Sequence, residues 1–147
     1  MRSIIVDSSV ALKWFYQDEE MSENANSVLN DSKNKSLQIL VPELWLYEIA
    51  NSFKSSIKAG RLNIRSARSY LEDLQDIKPV FVAFQSIMDL SLVLANKFDI
   101  SIYDASYLAL AKLQNIPFYT ADHKLLDKIP PNFKKAYSLA KFQTVSN

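Results

Sequence analysis

Residues Ser101 to Leu125, SIYDASYLALAKLQNIPFYTADHKL, decide how the chain is read. The stretch predicts a helix, a short turn, a strand over Ile116 to Thr120, and then an acid. Asp104 stands at the start of the apolar helical run. Asp122 stands just past the strand, inside Thr120-Ala121-Asp122. In an open α/β sheet, ligands collect at the carboxyl ends of the strands. An acid just after a strand and an acid on the first turn of a nearby helix meet at that edge.

The rest of the chain brings more acids to the same edge. Ile4-Ile5-Val6 is a short β-branched run ending in Asp7, as expected of a central parallel strand buried on both faces. A helix is expected over Val10 to Tyr16, with a serine as its N-cap. A surface helix is read between Asp18 and Asn34, and a second strand over Leu37 to Val41. Pro42 then suits the first turn of a helix that runs to about Ala59 and stops at Gly60. Trp45, Ile49, Phe53 and Ile57 make the core stripe of that helix, at steps of four. Glu48, Asn51, Ser52 and Ser55 make a polar stripe. Asn63 is expected to cap a helix over Ile64 to Asp76, with Ala67, Leu71 and Leu74 inward. A strand over Val80 to Phe84 follows. Next comes a helix over Ser86 to Phe98, with Ile87, Leu90, Val93 and Leu94 apolar. A last strand is expected near Ala136 to Leu139, before a polar tail. Strands alternating with helices predict one α/β domain over residues 1–147 with a parallel sheet.

Composition excludes several classes. Cysteine is absent and histidine occurs once, which removes disulfides and structural zinc. A single glycine removes the phosphate-cradling glycine-rich loops. No run of 18 apolar residues suggests a membrane span. The opening MRSIIVDSSV is too short and acquires its acid too early for a signal peptide, so the chain is expected to begin at Met1 and to stay in the cytoplasm. Net charge is +1, so any nucleic-acid contact has to be a local patch. Such a patch exists: Lys54, Lys58, Arg61, Arg65 and Arg68 lie in a stretch, Ile49 to Leu71, that contains no acid. This strip reads either as a track for an RNA backbone or as a solvated helix face.

Asp7, Glu48, Asp104 and Asp122 form the candidate site. Each has an ordinary explanation on its own. An acid after a strand caps a helix or makes a turn, and a glutamate on a helix faces water. Together they carry a different meaning. Clustered carboxylates repel and need a cation or a shared proton at neutral pH. Oxygen ligands without histidine or cysteine select Mg²⁺ or Mn²⁺. Ions of this kind clamp phosphates and activate water, which points to phosphoryl transfer or phosphodiester cleavage. Two rivals stand beside this reading. His123 next to Asp122 invites a Ser–His–Asp arrangement with Ser8 or Ser9, but no nucleophile elbow is present. A Mg²⁺-binding receiver domain also gathers acids in a parallel sheet, but here Val80 to Phe84 ends without one.

Three segments carry a family resemblance: IIVDSSVALKWF, VPELWLYEIANSF and IYDASYLALAKLQNIPFYTADHKL. The chain resembles PIN-domain ribonucleases, and within them the VapC-type toxins of toxin–antitoxin pairs. The third segment is the most specific. The resemblance implies a three-layer α/β/α sandwich with a mostly parallel sheet and a Mg²⁺- or Mn²⁺-dependent endoribonuclease. It implies that Asp7, Glu48, Asp104 and Asp122 hold the metal. Asn51 would partner Glu48 in an E-x-x-N motif, with Ser9 and Thr120 as small hydroxyl residues beside the acids. Glu43 is a nearby competitor for the helix acid but lacks that spacing. The resemblance also implies an RNA substrate, a cognate antitoxin that inserts a segment near the carboxylates, and a homodimer. A PIN fold that binds without turnover is the remaining alternative.

Overall fold

Five short apolar segments pair side by side, because backbone N–H and C=O groups taken out of water need hydrogen-bond partners. In the computed structural model, which describes residues 1–145, they are β1 (Arg2–Val6), β2 (Leu37–Pro42), β3 (Val80–Val82), β4 (Phe118–Thr120) and β5 (Ala136–Ser138). All neighbours are parallel, in the order β3-β2-β1-β4-β5. Ile5 faces Phe118 and Val6 faces Tyr119 across the β1–β4 pair. The strand order reverses direction at that pair. It is the topological switch point, and the ends of β1 and β4 flank its crevice.

The described residues form seven α-helices: α1 (Ser8–Leu12), α2 (Ser22–Lys33), α3 (Leu44–Lys58), α4 (Ile64–Asp76), α5 (Met88–Phe98), α6 (Ile102–Gln114) and α7 (His123–Lys128). Right-handed crossovers put α1 to α4 over one face of the sheet and α5 to α7 over the other. The result is a three-layer α/β/α sandwich. Ile4, Ile5 and Val6 are wholly buried, which accounts for the unbroken apolar run of β1. Helix α6 runs over β1, β2 and β4, and every residue from Ala105 to Ala111 is buried.

Local signals set several boundaries as expected. The Asn63 side chain accepts a hydrogen bond from the Ser66 N–H at 2.9 Å and opens α4. Ala59, Gly60 and Arg61 close α3, with Gly60 N–H to Ile57 O at 3.0 Å and Arg61 N–H to Ser56 O at 2.9 Å. This Schellman pattern needs φ of +75° at Gly60, a conformation glycine adopts without strain. Trp45, Ile49 and Phe53 form the buried stripe of α3, with Ile57 packed at its edge.

Other boundaries move. The first helix starts at Ser8 rather than Val10 and ends at Leu12 rather than Tyr16, with Asp7 at the N-cap in place of a serine. Beyond it the chain tightens into three-residue turns, Lys13 N–H to Val10 O and Trp14 N–H to Ala11 O. These turns roll Trp14 inward, where its Nε1 donates to Ala25 O at 2.8 Å. Pro42 belongs to β2, and Glu43 rather than Pro42 precedes α3. The third strand stops at Val82 and a 3₁₀ turn follows, so α5 begins at Met88. Val93 is 51% exposed because α5 turns Ile87, Ser91 and Leu94 inward instead. The expected polar tail reaches residues 146 and 147, which lie outside the described residues.

Candidate active site

The end of β1 delivers Asp7 into the switch-point crevice, where it is only 6% exposed. Ser9, two residues on, donates its hydroxyl to Asp7 Oδ1. Thr120, the last residue of β4, donates its hydroxyl to Asp7 Oδ2 at 2.5 Å. Each hydroxyl oxygen is itself anchored by backbone. Ala121 N–H donates to Ser9 Oγ at 3.0 Å, and Asp122 N–H donates to Thr120 Oγ1 at 3.0 Å. The chain leaving β4 thus clamps the carboxylate that ends β1. Two hydroxyls donating to one carboxyl group favour its ionised form.

Burial opposes that ionised form. It pushes the Asp7 carboxyl from an ordinary value of 3.8 up to about 7; the Ser9 and Thr120 hydrogen bonds pull against it, and the charge of Glu48 adds to the rise. Glu48 is half-buried on α3 and is also raised, first by burial and then by Asp104, while a hydrogen bond from Tyr107 lowers it. Asp104, on the first turn of α6, is raised by burial and by Asp122. The four acids therefore form one electrostatically linked series: Asp7 to Glu48, Glu48 to Asp104, and Asp104 to Asp122. Among the described residues, no three His, Cys, Asp or Glu side chains close on one point as a ready-made metal cage. The donors available are all carboxylate and hydroxyl oxygens, the set that suits a hard divalent cation.

Each acid is positioned by a local reason. Ser101 caps α6 by accepting from the Asp104 N–H at 3.0 Å, which fixes the first turn. Asp122 caps α7 by accepting from the Leu125 N–H at 3.1 Å, so it serves structure as well as the cluster. Glu43 stands outside the series. Its Oε2 accepts from Phe84 N–H at 3.3 Å and ties α3 to the end of β3.

Ser9 and Thr120 stand against Asp7. Asn51 does not stand against Glu48: its side chain is exposed, and it appears among no hydrogen bonds to Glu48 in the described residues. The partner of Glu48 is Tyr107, whose hydroxyl donates to Oε1 at 2.5 Å. Burial and the charge of Glu48 push the Tyr107 hydroxyl far above the ordinary range, so it stays a donor. Tyr107 is stacked on Phe118 of β4, with ring centres 5.5 Å apart. A sequence signal for it existed. Tyr107 follows Asp104 by three residues and so shares its side of α6.

The basic strip divides. Lys54 and Lys58 are exposed on α3, and Arg65 and Arg68 are exposed on α4. Arg61 precedes the Asn63 cap, so it cannot continue the Arg65–Arg68 side of the helix. It turns to Asp18 and Glu19, at 3.3 and 3.5 Å. His123 is exposed on the first turn of α7, and Ser9 is committed to Asp7, so no Ser–His–Asp arrangement forms.

The PIN domain profile matches residues 4–130. The chain is 30% identical over 129 residues to "Ribonuclease VapC3" of Pyrobaculum aerophilum, covering 86% of this chain and 95% of that protein. It superposes on a structure of VapBC2 from Rickettsia felis bound to a promoter DNA fragment with a TM-score of 0.67, at 13% identity, covering 92% of this chain and 98% of that one. It superposes on a toxin–antitoxin complex from Klebsiella pneumoniae with a TM-score of 0.59, at 16% identity, covering 92% and 97%. At such identities the two structures speak for the fold.

Proposed function

Because the chain belongs to the PIN-domain family, we propose that it is a Mg²⁺- or Mn²⁺-dependent endoribonuclease, acting as the toxin of a type II toxin–antitoxin pair. The observation that carries this reading is the linked series of buried and half-buried acids at the switch point of a parallel sheet. A fold held together by hydrophobic burial alone has no need of such a series, which weakens it. The name of the Pyrobaculum relative supports RNA as the substrate, and those of the Klebsiella and Rickettsia complexes support an antitoxin partner.

Asp7, Glu48, Asp104 and Asp122 would hold the cation. When bound, the cation supplies positive charge against the scissile phosphate and a means of activating water. The residues of this chain prepare the place. Ser9 and Thr120 favour the ionised form of Asp7 against its burial and fix the direction of its oxygens. Tyr107 holds Glu48 from one side and leaves its second oxygen for the site. Thr120 fixes the backbone of Asp122. Lys54, Lys58, Arg65 and Arg68 lie on the exposed sides of α3 and α4 and would follow the RNA backbone without reading bases.

Residues 1–147 work in this reading as one nuclease domain in the cytoplasm, as a homodimer. No helix of the described residues is long and apolar enough to cross a membrane. The test is cleavage of mixed RNA by the protein with Mg²⁺, beside an Asp7→Asn control. Cleavage by the wild type alone supports the reading. Equal cleavage by both proteins would mean that the acids are not the site, and cleavage by neither would leave a PIN fold that binds without turnover.

A further inference from the structure

A cavity of about 410 Å³ opens directly beside the acids, lined by Ser9, Lys13, Tyr16, Glu19, Ser56 and Arg61 among others, with Asp122 at its edge. Its size is in the range that accommodates small ligands. Ser52 and Ser56, on its α3 wall, follow Glu48 at steps of four, so the wall continues the side of the helix that carries the acid. Ser9 and Asp122 join the cavity to the site, and its lining also carries two cations, Lys13 and Arg61.

Lys13 is the unusual member. It is 7% exposed, and lysine is rarely buried without strong pairing. Its Nζ donates to Glu19 Oε2 at a long 3.4 Å, the one side-chain acceptor it has among the described residues. An ammonium carries three donors, so this pairing leaves it under-used. Glu19 is shared. Its other oxygen, Oε1, stands 3.5 Å from Arg61. The Arg61 guanidinium lies 4.2 Å from the centre of the Tyr16 ring, and the Tyr16 hydroxyl donates to Ser56 Oγ at 2.8 Å. Asp18 also reaches Arg61, but its side chain is 80% exposed and its attraction is largely screened. One carboxylate thus bridges two cations at the wall of a hydroxyl-lined cavity next to the proposed cleavage site. A bridging carboxylate marks a place where an oxyanion fits.

We propose that this cavity takes the phosphodiester next to the scissile one, with Lys13 and Arg61 as its anion-binding pair and Glu19 as the internal placeholder that RNA displaces. The inference rests on the reading of the acids as a nuclease site and adds a substrate subsite to it. An RNA strand bound this way runs from the acids toward the cations, so its charge is met by opposite charge as soon as it leaves the cation-holding end. The serine hydroxyls supply further donors to phosphate oxygens and to the ribose.

The experiment measures binding of a short fluorescent RNA of mixed sequence to the full chain, with Ca²⁺ in place of Mg²⁺, by anisotropy as a function of salt. Lys13→Gln and Arg61→Gln should each weaken binding roughly fivefold to tenfold and lower the salt slope by about one phosphate contact. Lys13→Arg, which keeps the charge, should recover most of the affinity. Glu19→Gln should do the opposite and tighten binding roughly threefold, because it releases both cations. A purely structural network predicts the reverse sign for Glu19→Gln. The Arg61 variant, altered at the rim, gives the answer even where Lys13→Gln fails to fold. A Glu19→Gln protein that binds no more tightly than wild type, or an Arg61→Gln protein with unchanged affinity and slope, overturns the proposal; an acidic partner segment would then be the better occupant. Cleavage in Mg²⁺ by the wild type and by Asp7→Asn, run alongside, reports separately on the acids.

Discussion

The end of β1 buries a carboxylate, whereas the exposed sides of α3 and α4 hold Lys54, Lys58, Arg65 and Arg68 in open water. The two regions carry opposite charge, and their energetics differ in kind. Asp7 gives up hydration and gains two hydroxyl donors, so a change there alters how a buried group is matched. The exposed bases keep their water, and each contributes little to stability. The difference teaches where function is expensive. Replacing a buried acid should be felt in both chemistry and stability, while replacing an exposed base should be felt only by a polyanion.

The sharpest way to break the comparison is to neutralise the acids. Asp7→Asn, Glu48→Gln and Asp104→Asn are each expected to lower RNA cleavage by roughly a hundredfold or more with the fold retained, as single-turnover rates and circular dichroism would report. Asp122→Asn should lose less. Wild-type rates in the first three would erase the distinction between the regions. Removing the cation tests the same region without mutation. EDTA should abolish cleavage, Mg²⁺ or Mn²⁺ should restore it, and Ca²⁺ should restore it poorly.

A pH profile of the metal-free protein sharpens the comparison further. Asp7 binds its proton more tightly in the folded protein, at about 7, than in the unfolded chain, at 3.8. Its protonated form therefore favours folding below about pH 4, and that contribution is lost as pH rises through 7. The loss is at most roughly 4 kcal/mol. Asp7→Asn should flatten this decline and melt higher than wild type at pH 8, provided no divalent ion is present. A wild-type melting temperature that is level from pH 4 to 8 would show that the hydroxyl donors fully offset burial.

Smaller effects follow outward from the site. Tyr107→Phe removes the donor to Glu48 but keeps the ring stacked on Phe118. A stability loss of about 1 kcal/mol and a drop in the cleavage rate are expected, with little change in RNA affinity. Unchanged activity would mean that Glu48 is held by other groups. The smallest effect belongs to the bases. Changing Arg65 and Arg68 together to Gln should leave the melting temperature nearly unmoved, within about 0.5 kcal/mol per site. RNA binding should weaken alike for all sequences, with a flatter salt dependence. A sequence-selective change would show that α4 reads bases.

Local chemistry alone determined much of this protein. An apolar β-branched run followed by Asp7, the four-step stripe of Trp45, Ile49 and Phe53, the Asn63 cap and the Gly60 stop each act through residues a few positions apart. Their geometry is set by the short-range backbone, so the element order, the parallel α/β class and the acids' places after strands or within helices were all legible in the sequence. The tertiary structure decided what meets what. Thr120 reaches Asp7 across 113 residues, and Tyr107 reaches Glu48 across 59. The motif spacing pointed to Asn51 for that second role, but spacing along one helix does not say which neighbouring helix lies opposite. Val93 lay on an apolar stripe, yet the docking of α5 against α6 left it outside. Arg61 belonged with Arg65 and Arg68 by charge, but the cap at Asn63 placed it before the helix, where Tyr16 and Glu19 hold it. Pairings of this kind depend on register between elements distant in the chain, which burial and shape fix only when the whole sheet and its helices close together.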